Sequence, residues 1–141
     1  MSVDNTIELS VAPSPVQDPE WPARYRARLR AALQVLSERD VPLTGELQEL
    51  TAQRVPLSEW DASTTASGAV RAWVNLGWNL TTTYQHAGWV HITSEGGYRL
   101  TKEGRAALAT YLDPMKMYDE AGAAYGTWDA AASSYIFIGS R

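Results

Sequence analysis

Apolar and polar positions recur at helical spacing along most of this chain. The longest such stretch, Ser67 to Ala87, would make about five to six turns of helix at 3.6 residues per turn. Val70, Trp73, Val74, Gly77, Leu80, Thr81 and Tyr84 return every three or four residues, which predicts one buried face. The opposite face then carries Arg71, Asn75, Asn79, Thr82, Gln85 and His86. Gly88 stands where a helix C-terminus favours a residue without a Cβ. Two short strand-like runs follow, Trp89-Val90-His91-Ile92 and Tyr98-Arg99-Leu100, and the link Thr93-Ser94-Glu95-Gly96-Gly97 suits a hairpin. Thr101, with Glu103 close behind, predicts a capped helix.

Upstream, Pro22 opens a helix expected to reach about Arg39, with Tyr25, Leu29, Ala32, Leu33 and Leu36 as its apolar stripe. Arg24, Arg26, Arg28 and Arg30 crowd its first turns and cannot share one face. They read either as a solvated face with snorkelling stems or as phosphate contacts beside a groove. Thr44 is expected to cap a second helix from Gly45 to about Arg54, with Leu47 and Leu50 inward, and Ser58 to cap a single turn before a small-residue linker over Ala62 to Ser67. After the hairpin, a helix over about Lys102 to Tyr111 would bury Ala106, Leu108 and Ala109 or Leu112, and Asp113-Pro114 breaks it.

A last amphipathic helix, about Met115 to Ala131, presents Tyr118, Ala121, Ala124, Tyr125 and Trp128. It is expected to pack back on the domain or on a second copy. Ser134 to Gly139 reads as a buried strand, which suggests an excerpt of a longer chain or a tail that pairs with an edge. At the other end, Pro13, Pro15 and Pro19 imply an extended arm, although Thr6 to Val11 alone would suit a short strand. The order predicts an α+β fold, a winged helix-turn-helix with an additional C-terminal helix: an arm over 1–20, the winged helix over 21–112, and a tail over 113–141.

Composition narrows the chemistry. At 141 residues one domain is expected, and the absence of cysteine removes disulfides, thiol catalysis and Cys-based zinc sites. No apolar run approaches a membrane span and no signal pattern opens the chain, so a soluble cytoplasmic protein is the default expectation. The net charge of −4 argues against a generic basic nucleic-acid binder. Its distribution matters more. The arm carries −4, residues 113–141 carry −2, and residues 21–112 carry +2, from ten basic against eight acidic residues.

Candidate catalytic groups are few. His86 and His91 have no carboxylate at metal-ligand spacing, so neither a metal nor a cofactor is expected. Gly122-Ala-Ala-Tyr-Gly126 lacks the lysine of a phosphate-binding loop, and no Gly-x-Ser-x-Gly element occurs. A non-enzymatic module is expected.

The second half of the pattern carries a family resemblance. Ala87-Gly88-Trp89-Val90, Gly97-Tyr98-Arg99-Leu100-Thr101 and Glu103-Gly104-Arg105 resemble the N-terminal winged-helix domain of Mrr-type restriction proteins, over roughly residues 43 to 110. Similar modules precede the motor domain of McrB-like restriction proteins. Two positions depart from the family pattern: the aromatic of the recognition helix falls at Trp78 rather than at Asn79, and the wing carries Glu95 where Lys or Arg is common. The resemblance implies target recognition on modified, methylated or phosphorothioated, double-stranded DNA, with catalysis left to a downstream nuclease or ATPase domain. The acid and Glu/Gln-x-Lys element of Mrr-type nucleases is missing, because Lys102 and Lys116 are the only lysines.

On that reading Arg71, Asn75, Asn79, Thr82 and Gln85 face base edges, and Arg99, Arg24 and Arg28 serve phosphates. Six tryptophans and seven tyrosines against one phenylalanine add a second expectation. Trp60, Trp78, Trp89 and Tyr98 either pack a core with their polar tips outward or shape a pocket for a modified base. The rival reading is a protein-interaction or dimerisation winged helix, with a homodimer formed through the C-terminal helix.

Overall fold

The computed structural model describes residues 18–40 and 42–138, with side chains in the last helix as far as Gly126. Most of the arm expected over 1–20, with its Thr6–Val11 alternative, lies outside the described residues, as do the side chain of Trp128 and Gly139.

The first helix, α1, runs Trp21–Glu38 with proline in its first turn. Leu29, Ala32, Leu33, Val35 and Leu36 are at most 2 % exposed and form the floor on which the other elements rest. Helix α2, Thr44–Arg54, packs across it through Leu47 and the buried Thr51. Here Leu43, not Thr44, holds the N-cap position, and no side chain caps the helix. The reason is extended pairing just before it: Leu43 bridges Gly97, and the Pro42 carbonyl accepts the Tyr98 amide at 3.1 Å. This draws residues 42–43 against the hairpin as a minimal third strand.

Helix α3 is one turn, Glu59–Ala62, and Ser58 caps it as expected, in a reciprocal capping box with Asp61. The long helix, α4, begins at Arg71 rather than Ser67. The preceding residues fold into a tight reversal in which Thr64 bridges Val70, the Thr65 amide reaches the Ala69 carbonyl at 2.8 Å, and Gly68 takes φ +88°.

From Arg71–Trp78 the helix widens into a π-helical turn over Asn79–Tyr84. Polar side chains compete with the backbone there. The Asn79 amide donates to the Asn75 carbonyl at 3.0 Å and the Thr81 hydroxyl to that of Gly77 at 2.8 Å. The helix then ends in a Schellman motif, with Trp89 N–H on the Tyr84 carbonyl and Gly88 N–H on that of Gln85, both at 3.0 Å. The rings of Tyr84 and Trp89 meet edge-on at 5.5 Å, the apolar contact that accompanies such a cap.

Strands β1, Val90–Ile92, and β2, Tyr98–Leu100, pair antiparallel in the register Val90↔Leu100, His91↔Arg99, Ile92↔Tyr98. Thr101 caps α5, Lys102–Thr110, by accepting the Gly104 amide at 2.9 Å, and its hydroxyl also donates to the Gly88 carbonyl at 2.6 Å. That double use ties the end of α4 to the start of α5. Gly104 and Ala107 are the buried residues of α5, while Ala106 is exposed and Leu112 is 75 % exposed, contrary to the sequence expectation. Gly104 sets this phase, because the helix lies so close to the Trp89 carbonyl, just ahead of β1, and to Leu100 of β2 that only glycine fits.

The last helix, α6, runs Pro114–Ile138, so residues 134–138 are helical and not the expected strand. The Ala-rich turn before them continues the helix, and among the described residues no sheet edge pairs with them. Its early turns pack on α1 and on the π-helical turn, with Met117 and Ala121 fully buried and Tyr118 edge-on to Tyr25 at 5.7 Å. Helix-turn-helix, hairpin wing and packed C-terminal helix together make an α+β winged helix with one helix added.

Candidate nucleic-acid interface

Ala72, Leu76, Leu80 and Tyr84 form the inward ridge of α4, each at most 3 % exposed. A strict four-residue repeat drifts about 40° per step on an α-helix, and the wider π-helical turn offsets that drift. Directly opposite lie Val74, 45 % exposed, Trp78, 56 % exposed, Thr81 and Gln85. All four are exposed. The exposed Thr81 spends its hydroxyl on the Gly77 carbonyl at 2.8 Å. The outward face is thus apolar for two turns and ends in an amide.

This corrects part of the expected reading face. Asn79 is only 2 % exposed, and its side-chain oxygen accepts the buried Thr83 hydroxyl at 3.2 Å. Asn75 and Thr82 are half-buried at the margin, whereas Gln85 is exposed. Arg71 starts the helix half-buried, its guanidinium 4.0 Å over the Trp60 ring and its Nε donating to the Ser63 hydroxyl at 3.1 Å. On the wing, Arg99 and its cross-strand neighbour His91 are exposed, as is Glu95 at the turn. Among the described residues no carboxylate lies at ion-pair distance from Arg71 or Arg99.

The arginines of α1 take up positions inside the fold. Arg24 makes a forked pair with Asp61 (2.9 and 2.8 Å) and also reaches Asp18 at 2.6 Å. Arg28 is 1 % exposed and donates to Asp61 Oδ2 at 2.5 Å, the oxygen that also accepts Arg24 Nε. Arg26 lies 4.8 Å over Tyr25 and 4.7 Å over Tyr118. Arg30 donates to the carbonyls of Tyr111 and Leu108 at the end of α5, where a cation is favoured. Arg28 is therefore sequestered from any phosphate, and Arg24 is committed to two carboxylates. Burial alone would raise the Asp61 carboxyl, but hydrogen bonds from Arg24, the Ser58 amide and Arg28 outweigh it and hold the group at about 2.

Nor do the four aromatics converge. Trp60 stands with Trp21, 6.4 Å away, and Arg71. Trp89 is 8 % exposed, between Tyr84 and Tyr111 in the core. Trp78 faces outward, and Tyr98 lies elsewhere, on the wall of a cavity of about 40 Å³. That cavity separates α2, through Thr44, Leu47 and Gln48, from α4, through Trp73, Leu76, Gly77 and Leu80. Its volume suits a methyl-sized group or a water. Sequence reasoning missed Val74 as an outward residue and Asp61 as the partner of two arginines. The four-residue repeat from Ala72 to Tyr84 was the available signal for the former.

Among the described residues no group of three or more His, Asp or Glu side chains could hold a metal ion, and no helix is long and apolar enough to cross a membrane. No curated protein and no solved structure matches the chain. The family model of the Mrr N-terminal domain matches residues 25–110, from the first turns of α1 through the end of α5. The chain belongs to the Mrr N-terminal domain family.

Proposed function

We propose that this chain is the non-catalytic, target-reading module of a modification-dependent restriction or defence system, binding double-stranded DNA that carries methyl or phosphorothioate groups. The observation that carries the reading is the uncovered outward face of α4 beside the wing: Val74, Trp78, Thr81 and Gln85, with Arg71 at its start and Arg99 on β2. In helix-turn-helix proteins this is the face that enters the major groove. Membership of a family associated with restriction systems supports the same reading. Asn75 and Thr82 remain secondary candidates at the margin of the face, and catalysis is assigned to a downstream nuclease or ATPase domain.

The test is binding to matched duplexes, unmodified or carrying methylated cytosine, methylated adenine or backbone phosphorothioate, across a salt series. Tighter binding to one modified duplex is expected. A shallow slope of log K against log salt, about −2 for two phosphate contacts, should go with it. Arg71→Ala and Arg99→Ala should each reduce that slope by about one. Failure to bind any duplex at low salt would overturn the reading.

A second reading has an observation of its own. Val74 and Trp78 form an exposed apolar pair, and among the described residues Arg24, Arg28, Arg39 and Arg54 are already paired with carboxylates. A protein-interaction or dimerisation module would use that face. Sedimentation of wild type against Trp78→Ala separates the readings, because only the interaction module changes mass with concentration. In the first turns of the C-terminal helix, Met117 and Ala121 are buried within the chain and Tyr125 stacks on His86 at 5.2 Å.

A further inference from the structure

We infer that the chain's own residues 7–11 dock on the start of α4, over Arg71, Val74 and Trp78, and compete there with any other ligand of that face. The three residues stand at i, i+3 and i+7 of the α-helical part of α4, so they share one stripe. Val74 and Trp78 are 45 % and 56 % exposed, and Arg71 has no carboxylate at ion-pair distance among the described residues. A cation followed by two large apolar side chains is complementary to an acid set among apolar residues. Burying the apolar pair is favourable, and an acid beside it gives the cation a partner.

The chain supplies such a segment within reach. Residues 7–11 read Ile-Glu-Leu-Ser-Val, and residues 1–17 hold Asp4 and Glu8 but neither Lys nor Arg. The described fold begins beside the stripe. Asp18 accepts Arg24 at 2.6 Å, the Trp21 ring stands 6.4 Å from that of Trp60, and the Arg71 guanidinium lies 4.0 Å over the same Trp60 ring. Val11 is seven residues from Asp18, which span up to about 23 Å. Trp78 lies about 10 Å along α4 from Arg71 at 1.5 Å per residue. A segment tethered so close is present at an effective concentration on the order of millimolar. A weak contact therefore suffices to hold it, where a separate partner would need its own affinity.

A duplex entering by this face must displace the segment; that consequence rests on the DNA-reading proposal, whereas the contact itself does not. In the full chain, nuclear Overhauser contacts are expected between the methyls of Ile7, Leu9 and Val11 and the Trp78 indole. They should vanish in Ile7→Ser/Leu9→Ser/Val11→Ser, weaken in Arg71→Glu and return in Glu8→Lys/Arg71→Glu. The triple serine variant should bind a DNA duplex about fivefold more tightly than the wild type, the factor for a segment in place about four-fifths of the time. Absence of the contacts would overturn the inference. Contacts that arise only between differently labelled chains would assign the segment to a second copy and overturn the intrachain docking. Equal duplex affinity of variant and wild type would overturn the competition. Duplex binding by neither, with the contacts present, would overturn the DNA reading and leave the docking standing.

Discussion

Two glycines of the same chemical kind carry opposite expectations. A Cβ on Gly104 would lie 2.2 Å from the Trp89 carbonyl oxygen and 2.6 Å from Leu100 Cδ1. The oxygen belongs to backbone that also accepts the Thr101 amide at 3.0 Å, so it cannot yield cheaply. Gly104→Ala should cost about 3 kcal/mol, the upper range of overpacking. Gly77 lies in α4 with nothing within 4 Å of its added Cβ. Gly77→Ala should gain up to about 1 kcal/mol from helix propensity. Urea unfolding of the two variants reads both signs, and equal effects would show that α5 does not press on the Trp89 backbone. The resemblance had singled out Glu103-Gly104-Arg105 as a motif. Its physical reason, a helix seated against the Trp89 carbonyl, needs the packing to be seen.

At the scale of elements, what the sequence shows and what it hides divide along local and non-local chemistry. The end of α4, the hairpin and the start of α5 were legible because Gly88, Gly96-Gly97 and Thr101 act within a few residues of themselves. The start of α4 was not, since Ser67 and Gly68 serve a reversal closed by Thr64 and Val70. The phase of α4 was misread for a simpler reason. Trp73 and Val74 are large and drew the apolar face towards themselves, while the buried position went to Ala72, which fits close against its neighbours at 0 % exposure. Leu80→Ala should therefore cost about 3 kcal/mol, as for a buried leucine. Val74→Ala should stay within about 0.5 kcal/mol. A Val74→Ala loss as large as that of Leu80→Ala, read from denaturant midpoints, would restore the sequence-based phase, which buries both, and with it Asn79 as a base contact.

At the scale of the whole molecule, one carboxylate joins elements that the sequence leaves unrelated. Asp61, at 0 % exposure, accepts Arg24 and Arg28 from α1 and closes the capping box of α3. Asp18 adds a second carboxylate to Arg24 at the edge of α1. Four arginines in one stretch looked like surface charge because, Asp18 beside Arg24 apart, their partners are 33 and more residues away, as with Asp61, or are backbone carbonyls and rings. Folding holds the Asp61 carboxyl at about 2, against its usual 3.8. A depressed carboxylate contributes its stability above the unfolded value and loses it as pH falls through the folded one. The contribution should thus be complete above about pH 4 and fade towards pH 2. Its size is about 2 kcal/mol at 1.36 kcal/mol per unit. Glu38 is also lowered, by its hydrogen bond from Arg54, but that pair is exposed and adds little.

Asp61→Asn should remove most of the acid-side slope. At neutral pH it should cost about 3–5 kcal/mol, because Arg28 would stay buried with its Nε and Nη1 already lacking acceptors. The additional Arg28→Met substitution should recover much of that loss, since it removes the stranded charge and keeps an apolar stem against Trp21. Urea titrations at pH 7 and pH 3 on the three proteins decide the matter. A wild-type slope that persists in Asp61→Asn would assign the acid sensitivity to another group, and the joint between α1 and α3 would then rest on packing alone.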